Sequence, residues 1–308
     1  MTNKIIGIQG DKLDKINISS DTSIFLAHEA QTLGYKIFYY TPSNLSIIKN
    51  KTYANGVFVK LNYERKKFYK IYKKQKIDVE NFKFILIRQD PPFNSEYLIN
   101  TLILDNLKKT RVINNPVAIR NVSEKLYSKK FTKYMPDTIF SNNIEEVKKF
   151  YKQNKSIIMK PINGFGGNQI HLIKNKFNKK LITNFLKKNG HSMFQKFLKN
   201  ISKGDKRVFI INGKVCGAIS RVPKKGSFLS NMSKGAKPIN INLTKLENKI
   251  SKLIAKDLKK ENIFFAGIDF IDQKLNGDIN VTSPTGLKTL FDLSGKNLAK
   301  TFWKELKV

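Results

Sequence analysis

The chain has 308 residues, and its 40% hydrophobic content is sufficient for a globular protein of two ordinary domains. No apolar run approaches the roughly 20 residues of a membrane span, and the single cysteine, Cys216, excludes an intramolecular disulfide, so we expect a cytoplasmic protein without membrane association. The net charge of +35 attracts polyanions, but only 6 of the 58 basic residues are arginines and no nucleic-acid-binding motif accompanies them, so specific nucleic-acid binding is not expected.

The first part of the chain alternates short apolar runs with a helical pattern. KIIGIQG is a predicted strand, residues 22–33 carry apolar side chains at helical spacing before Gly34, and YKIFYYT is a second strand. This order predicts a βαβ unit with a parallel sheet. The run FKFILIRQDPPF ends at the carboxyl edge of that sheet, where open α/β sheets bind ligands. A helix from Glu96 to Leu107 and the strand RVINNP complete a predicted α/β domain over residues 1–121.

The pattern changes after residue 121. A predicted helix, EKLYSKKFTKYM, is followed by the strand TIFS, the helix IEEVKKFYKQ and the strand SIIMKP. Later apolar runs are separated by turns such as Asn212-Gly213 and Asn276-Gly277, which predicts antiparallel sheets; these runs are MFQKFL, KRVFIING, VCGAISRVP, FFAGIDFID and DINVTSP. The amphipathic segments LITNFLKKN and LENKISKLIAKDLKKE are predicted helices that cover the sheets.

A glycine-rich segment follows the strand SIIMKP. The strand ends near Lys160, and Gly164-Phe165-Gly166-Gly167 comes next. Glycines allow backbone N–H groups to approach phosphate oxygens, and a lysine beside them supplies positive charge. The spacing matches neither a P-loop nor a dinucleotide fingerprint, and the segment connects two predicted strands. Taken alone, the segment is more typical of a tight hairpin turn than of a phosphate-binding loop.

Oxygen donors recur in GIDFIDQKLNGDINVTSP. With a hairpin turn at Asn276-Gly277, Asp269 pairs by parity with even-numbered positions, so Asp269, Asp278 and Asn280 point to the same face. Oxygen ligands without histidine or cysteine suit magnesium, which bridges to substrate phosphates. A solvated polar face is the alternative interpretation.

A third pattern lies between these two. Gln195 to Leu198 precede Asp205 and Arg207 in MFQKFLKNISKGDKRVFIING. An extended hinge can hydrogen-bond an adenine edge through its backbone, while a carboxylate binds ribose hydroxyls. The joint order of loop, hinge, acid, arginine and oxygen-donor hairpin indicates a nucleotide site.

The residues resemble those of the prokaryotic glutathione synthetase family of ATP-grasp ligases over nearly the whole chain. The stretches that carry the resemblance are INISSDTS, ILIRQDPPF, NNPVAIRNVSEKL, MKPINGFGGNQI, KGDKRVFIINGK, GIDFI and INVTSPTG. The resemblance implies an α/β (α+β) fold with a parallel-sheet pre-ATP-grasp domain over 1–121 and an ATP-grasp domain with antiparallel sheets over 122–308. The latter would comprise a central lid lobe, about 122–200, and a catalytic lobe, about 201–308.

The resemblance also implies roles for single residues. Those implied to bind ATP are Lys125, Lys160, Gly164, Phe165, Gly166, Gly167, Gln195, Lys196, Phe197, Leu198 and Asp205. Those implied to hold the metal are Asp269, Asp278 and Asn280. Those implied to stabilise the phosphoryl group and the oxyanion are Arg207 and Arg221. Those implied to lie near the peptide and amino-acid substrates are Asp11, Arg88, Ser283 and Thr285.

The implied reaction joins γ-glutamylcysteine and glycine with ATP as co-substrate and Mg²⁺, or alternatively Mn²⁺, through an acyl phosphate, in a homo-oligomer such as a dimer or tetramer. Four positions depart from the family's pattern. Asp278 stands where the family has glutamate, and Leu229, Lys237 and Lys288 stand where it has arginine. These departures leave open a related ligase for another acid or amine. A basic nucleic-acid-binding protein is the more distant alternative.

Overall fold

The computed structural model describes residues 4–64 and 67–307. The first part builds a seven-stranded sheet in the order β3-β4-β2-β1-β6-β7, with β5 beside β4. Its strands are β1 Ile5–Gln9, β2 Lys36–Tyr40, β3 Leu45–Ile48, β4 Lys51–Leu61, β5 Tyr69–Asp78, β6 Phe84–Ile87 and β7 Arg111–Ile113. The predicted parallel centre is present, since β1 pairs in parallel with β2 and β6, and β6 with β7.

The antiparallel strands β3, β4 and β5 extend this sheet and are missing from the sequence-based prediction. β5 contains mostly exposed residues and four lysines, so it lacks the alternation of apolar and polar residues that identifies a half-buried strand. It is held by its backbone pairing to β4. Backbone pairing with the preceding strand, and not the side-chain pattern of β5 itself, therefore decides this strand.

Three helices accompany the sheet: α1 Thr22–Thr32, α2 Ser95–Asp105 and α3 Pro116–Asn121. Asp21 caps α1, because its carboxylate accepts a hydrogen bond from the Ile24 amide at 2.6 Å. Asn94 caps α2 in the same way through the Tyr97 amide at 3.0 Å. The predicted helix over 22–33 is confirmed to within one residue, whereas α2 ends two residues earlier than predicted.

The next part forms a four-stranded antiparallel sheet in the order β10-β9-β11-β8. Its elements are β8 Thr138–Ser141, α4 Ile144–Asn154, β9 Ser156–Pro161, β10 His171–Lys174, α5 Lys179–Asn189 and β11 Ser192–Lys196. Apolar side chains of both helices pack with those of the sheet in one core, including Val147, Phe185 and Phe194. The helix predicted from EKLYSKKFTKYM is wrong in type: Leu126–Tyr134 forms 3₁₀ turns interrupted at Phe131.

The last part is a five-stranded antiparallel sheet in the order β14-β13-β12-β15-β16. Its elements are β12 Asp205–Ile211, β13 Lys214–Val222, β14 Lys237–Asn240, α6 Lys245–Lys260, β15 Phe265–Ile271, β16 Lys274–Asn280, α7 Leu287–Ser294 and α8 Leu298–Glu305. The predicted turn at Asn212-Gly213 joins β12 to β13, with φ of 49° and 74°.

The predicted turn at Asn276-Gly277 is wrong. Asp272 and Gln273, with φ of 49° and 63°, make the two-residue turn between β15 and β16. Gly277 instead lies within β16, where the register with β15 shifts, and a Cβ there would meet Met193 Cε at 2.7 Å. Glycine at this position therefore permits close approach of β11.

Contacts far apart in sequence join the first and last parts of the chain. Trp303 of α8 is fully buried and donates a hydrogen bond to Leu26 O at 2.8 Å. The buried side chain of Asn114 donates to Phe265 O and Val281 O, both at 2.7 Å, and accepts from the amides of Phe264 and Phe265. The strand ends that carry site residues are thereby fixed against each other. Among the described residues, no helix is both long and apolar enough to cross a membrane.

Candidate active site

A cavity lies between the four-stranded and five-stranded sheets and gathers most of the predicted site residues. Every residue predicted to bind ATP, metal or the transferred phosphoryl group lines it: Lys125, Lys160, Gly164, Phe165, Gly166, Gly167, Gln195, Lys196, Phe197, Leu198, Asp205, Arg207, Arg221, Asp269, Asp278 and Asn280. Residues up to about 155 positions apart in sequence therefore line the same cavity.

Two buried lysines project into this cavity and share one carboxylate. Lys160 Nζ lies 3.2 Å from Asp278 Oδ2 and donates to Asn276 O at 2.9 Å, while Lys125 Nζ lies 3.4 Å from Asp278 Oδ1. Burial would raise the pKa of Asp278, but the charges of Lys160 and Lys125 outweigh it and lower that pKa. Asp278 is therefore ionised at neutral pH, and the site keeps a surplus of positive charge suited to phosphate.

Two arginines and two aspartates form a buried chain of ion pairs behind the lysines. Arg207 holds Asp269 through both carboxylate oxygens, and Arg221 holds Asp205 at 2.7 and 2.5 Å. Arg221 Nη2 also lies 3.0 Å from Asp269 Oδ2. Burial would raise the pKa of Asp269, but the two guanidinium groups outweigh it and lower that pKa to about 2. Burial raises the pKa of Asp205. The positive charge of Arg221 lowers it in part, and the negative charge of Asp269 raises it further.

The glycine-rich segment connects β9 to β10 as a loop over the cavity. Gly166 and Gly167 have φ of 60° and 76°, a region that favours glycine. A Cβ on Gly167 would meet Asn231 Oδ1 at 2.4 Å, so this loop lies directly against the segment around Asn231. Lys125 Nζ donates to Gly164 O and fixes the start of the loop.

The hinge after β11 has only part of its backbone available. The Lys196 amide donates to Asp137 O at 2.8 Å, and the Phe197 amide donates to Ser156 O at 3.0 Å. In the described part of the chain, the Leu198 amide has no such partner. Of these three amides, Leu198 is the one left to donate to a ligand.

The predicted metal ligands converge although the hairpin turn was misplaced. Asp269 is on β15, and Asp278 and Asn280 are on β16, where even-numbered positions share the cavity face. Asn280 Nδ2 donates to Gly267 O at 3.3 Å, which leaves its amide oxygen as an acceptor. No group of three or more His, Cys, Asp or Glu side chains suited to a metal occurs among the described residues. Two carboxylates and one amide oxygen are donors of the kind that Mg²⁺ prefers, so these residues fit a magnesium ion.

The four residues predicted near the substrates lie beside the cavity, at the carboxyl ends of the parallel strands. Arg88 Nη2 donates to Pro284 O at 3.0 Å, and Ser283 Oγ donates to Arg88 O at 3.1 Å. Asp11 accepts from the Asp90 amide at 3.0 Å. Thr285 is connected to the cavity through its carbonyl, which is 3.5 Å from Arg207 Nη1.

Other polar groups in this neighbourhood were missed by the sequence reasoning. Gln9 Nε2 donates to Gln89 Oε1 at 2.8 Å, but Gln9 Oε1, Gln89 Nε2 and the Tyr97 hydroxyl are buried without a partner among the described residues. Burial raises the pKa of Asp90, with a further increase from Asp11. Gln9 and Gln89 each lie at the end of a predicted strand, so the sequence could have indicated them as site residues. Tyr97 could not be indicated in this way, because the packing of α2 brings it to the site.

Comparison with known proteins places the chain in a family. The prokaryotic glutathione synthetase N-terminal domain matches residues 5–120, and the prokaryotic glutathione synthetase ATP-grasp domain matches residues 124–295. The chain belongs to the prokaryotic glutathione synthetase family. The predicted family, the fold class and the assignment as an ATP-dependent ligase with glutathione synthetase function are thereby confirmed.

Relatives extend over almost the whole chain. Glutathione synthetase of Mesorhizobium japonicum is 35% identical over 305 residues, covering 97% of this chain and 96% of the relative. Glutathione synthetase of Agrobacterium fabrum is 33% identical, covering 97% and 95%. Among solved structures, D-cycloserine synthetase DcsG superposes with a TM-score of 0.69 at 12% identity, covering 98% of each chain. That likeness concerns the fold.

Glu124 is a further cavity residue that the sequence reasoning missed in this member of the glutathione synthetase family. Its carboxylate accepts hydrogen bonds from the Val281 amide, the Thr282 amide and the Thr282 hydroxyl at 3.0, 3.1 and 2.8 Å. Its carbonyl accepts from the Ile279 amide at 2.9 Å. Glu124 thus holds the backbone on both sides of Asn280, next to Lys125. The acidic residue preceding Lys125 was visible in the sequence, but its partners were not.

Proposed function

We propose that the chain joins γ-glutamylcysteine to glycine with ATP, giving glutathione, ADP and phosphate. The observation that carries this proposal is the convergence of Lys125, Lys160, Arg207 and Arg221 on the carboxylates of one cavity. Membership of the glutathione synthetase family supplies the substrate identities that the geometry alone leaves open.

The chemistry requires activation of a carboxylate. A carboxylate is a poor electrophile, so transfer of the γ-phosphoryl group onto the cysteinyl carboxylate supplies a leaving group, and the glycine amine then attacks the acyl phosphate. Arg207 and Arg221 stabilise the charge on the transferred group and on the oxyanion. Their bidentate pairing with Asp269 and Asp205 orients both guanidinium groups before a substrate arrives.

Mg²⁺ would be held by Asp269, Asp278 and Asn280 and would neutralise charge on the phosphates. Because Asp278 already faces Lys125 and Lys160, these lysines stand next to the metal ligands and can bind phosphate oxygens. Mn²⁺ accepts the same oxygen donors and is the alternative ion.

The nucleotide would lie along the hinge and under the glycine loop. The Leu198 amide would donate to adenine. Asp205 is assigned to the ribose, because each of its carboxylate oxygens accepts one hydrogen bond from Arg221 and retains a second lone pair. Gly164 to Gly167 would close over the phosphates and exclude water that hydrolyses the acyl phosphate. Asp11, Arg88, Ser283 and Thr285 are assigned to the dipeptide and glycine.

The remaining expectations belong to the same proposal. We infer a substrate domain over 1–121, a lid lobe over about 122–200 and a catalytic lobe over about 201–308. A homo-oligomer is expected by family resemblance. A cytoplasmic setting agrees with the use of ATP and of a thiol substrate.

A phosphate-release assay over a panel of substrates tests the reaction. Phosphate should appear only when ATP, γ-glutamylcysteine and glycine are all present, and mass spectrometry should identify glutathione. Vigorous release without γ-glutamylcysteine contradicts the proposal. Turnover with another acid or amine instead favours a related ligase.

The substrate panel is needed because Leu229, Lys237 and Lys288 stand where the family pattern has arginine. Leu229 lines the cavity, where arginine would add a charge. Lys288 lies one turn from Asp292 and contacts it at 2.5 and 2.6 Å, so its ammonium is already paired. Lys237 is exposed at the start of β14. Replacing Leu229 with arginine should therefore change substrate preference more than the same change at Lys237.

A further inference from the structure

Glu124 makes four contacts with the chain at the end of β16. Its carboxylate oxygen Oε1 accepts from the Val281 amide, the Thr282 amide and the Thr282 hydroxyl, and its carbonyl accepts from the Ile279 amide. We call these contacts the Glu124 clamp. Val281 and Thr282 are 0% and 5% exposed and lie beyond Asn280, the last residue of the strand. The clamp therefore supplies acceptors to two amides that are shielded from water and lie outside the strand.

The clamped segment connects the predicted metal ligands to the substrate cluster. Asn280 lies at its start, and Ser283 at its end donates through Oγ to Arg88 O at 3.1 Å. Arg88 Nη2 in turn donates to Pro284 O at 3.0 Å, so the buried guanidinium is oriented against the same stretch of chain. A shift of the backbone at residues 281–282 would move Asn280 and the partners of Arg88 together.

Lys125, the next residue, holds the other components of the cavity. Its ammonium lies 3.4 Å from Asp278 Oδ1 and donates to Gly164 O at the start of the glycine loop. Groups that hold metal ligands from behind in this way orient them and tune their affinity for the ion. Glu124 and Lys125 are thus adjacent residues that fix one strand end from two sides.

We propose that Glu124 is a positioning residue that couples the metal site to the dipeptide site through residues 280–283. It acts by its reach, because one oxygen has to arrive at two amides and a hydroxyl, and not by contact with a substrate. This role rests on the proposed ligase reaction. Because one segment carries both sets of contacts, loss of the clamp weakens the metal and γ-glutamylcysteine together.

Two substitutions separate the reach of this side chain from its charge. Glu124→Asp keeps the charge but is one methylene shorter, so the affinity for Mn²⁺ should fall by about 10-fold or more, and that for γ-glutamylcysteine should fall with it. Glu124→Gln loses the charge but keeps an oxygen that can accept the same bonds, so both affinities should stay within about threefold of wild type. Electron paramagnetic resonance with a non-hydrolysable ATP analogue measures Mn²⁺, and calorimetry measures the dipeptide, so neither measurement requires turnover.

Glu80 provides a matched control. Its carboxylate accepts hydrogen bonds from the amides of Lys108, Lys109 and Thr110 at 2.6, 2.8 and 3.0 Å, and none of these four residues lines the cavity. Glu80→Asp removes the same kind of contact, so it should lower the free energy of unfolding in urea while both affinities stay at their wild-type values. Equal losses of affinity in Glu80→Asp and Glu124→Asp would show a general effect of destabilisation and overturn the proposal.

Thr282→Val tests the clamp even where Glu124→Asp does not fold. It removes only the hydroxyl donor and leaves both amide bonds, so each affinity should fall by about three- to tenfold. In the Glu124→Asp background the same change should have little further effect, because the contact is already lost. Unchanged affinities in Thr282→Val, or full additivity in the double variant, overturn the proposal.

The pattern across ligands and substitutions completes the test. A loss confined to one of the two ligands contradicts the coupling. Wild-type affinities in Glu124→Asp beside impaired binding in Glu124→Gln would show that the carboxylate acts through its charge, which also overturns the proposal. Failure of the proposed function is seen separately, as wild-type protein that binds no γ-glutamylcysteine, and it removes this role as well.

Discussion

Two buried polar clusters of this molecule balance their charges differently. In the cavity between the antiparallel sheets, Arg207, Arg221 and Lys160 each face an aspartate. At the carboxyl ends of the parallel strands, Arg88 donates to Ser23 Oγ and Pro284 O, and no carboxylate of a described residue lies within ion-pair distance of it.

This difference separates two kinds of binding chemistry. In the cavity, phosphate and metal can replace one partner of each ion pair, so the buried charges remain balanced when ligands exchange. Near Arg88, the buried Tyr97 hydroxyl and Gln89 Nε2 have no partner within the described part of the chain, and a ligand with matching polar groups recovers the free energy that burial has cost. We therefore expect cavity variants to impair phosphoryl transfer and variants near Arg88 to impair recognition of the dipeptide.

The largest effect is expected from Arg207→Lys. The change keeps a positive charge but removes the planar fork that holds Asp269, so kcat for phosphate release should fall by about 10²- to 10³-fold. Lys206→Arg is the matched control, because Lys206 is on the other face of β12 and pairs with Glu247 at 2.8 Å. A kcat close to wild type for Arg207→Lys would remove this residue from the catalytic assignment.

Asp278→Asn should have the next largest effect. Loss of this charge should raise the Mg²⁺ concentration needed for half-maximal rate and lower the phosphoryl-transfer rate by roughly 10²-fold. It should also lower thermal stability, because the buried Lys125 and Lys160 lose the carboxylate that they share. Asp278→Glu should retain most activity, because glutamate presents the same carboxylate. Asp272→Asn at the hairpin turn is the control. A wild-type magnesium titration for Asp278→Asn would show that the metal rests on Asp269, Asn280 and another partner.

Arg88→Lys tests the second cluster. Losing the fork that reaches Ser23 and Pro284 should lower kcat/KM for γ-glutamylcysteine by about 10- to 100-fold, the worth of a charged hydrogen bond. The affinity for ATP, measured by calorimetry, should stay the same. Arg111→Lys at an exposed position is the control. If Arg88→Lys also lowered the affinity for ATP, the Arg88 cluster would not be specific to the dipeptide, and the proposed difference between the two clusters would be wrong.

The smallest effect is expected from Tyr97→Phe. Removing a buried hydroxyl that has no partner in residues 4–64 and 67–307 should leave the free energy of unfolding unchanged or raise it slightly. If that hydroxyl contacts the dipeptide, KM for γ-glutamylcysteine should rise by about threefold, as loss of one neutral hydrogen bond predicts. Urea denaturation and initial-rate kinetics give both quantities, with the exposed Tyr72→Phe as control. An unchanged KM would remove Tyr97 from the substrate site.

The cavity-lining residues could be predicted from sequence because their positions follow from local rules. Side chains alternate along a strand, so Asp269, Asp278 and Asn280 share a face even though the turn is at Asp272-Gln273 and not at Asn276-Gly277. The glycine segment after Lys160 is likewise recognisable by composition.

Other site residues could be identified only from the tertiary structure, because their roles depend on contacts between segments that are distant in sequence. Glu124 binds Val281 and Thr282 more than 150 residues away, and Tyr97 enters the Arg88 cluster through the packing of α2. The strand β5 is a separate case: its partner β4 is the preceding strand, but its exposed lysines carry no strand signal, so only the backbone pairing identifies it. Strand periodicity and motif order are properties of neighbouring residues. Hydrogen bonds and burial between remote segments are fixed only when the chain is folded.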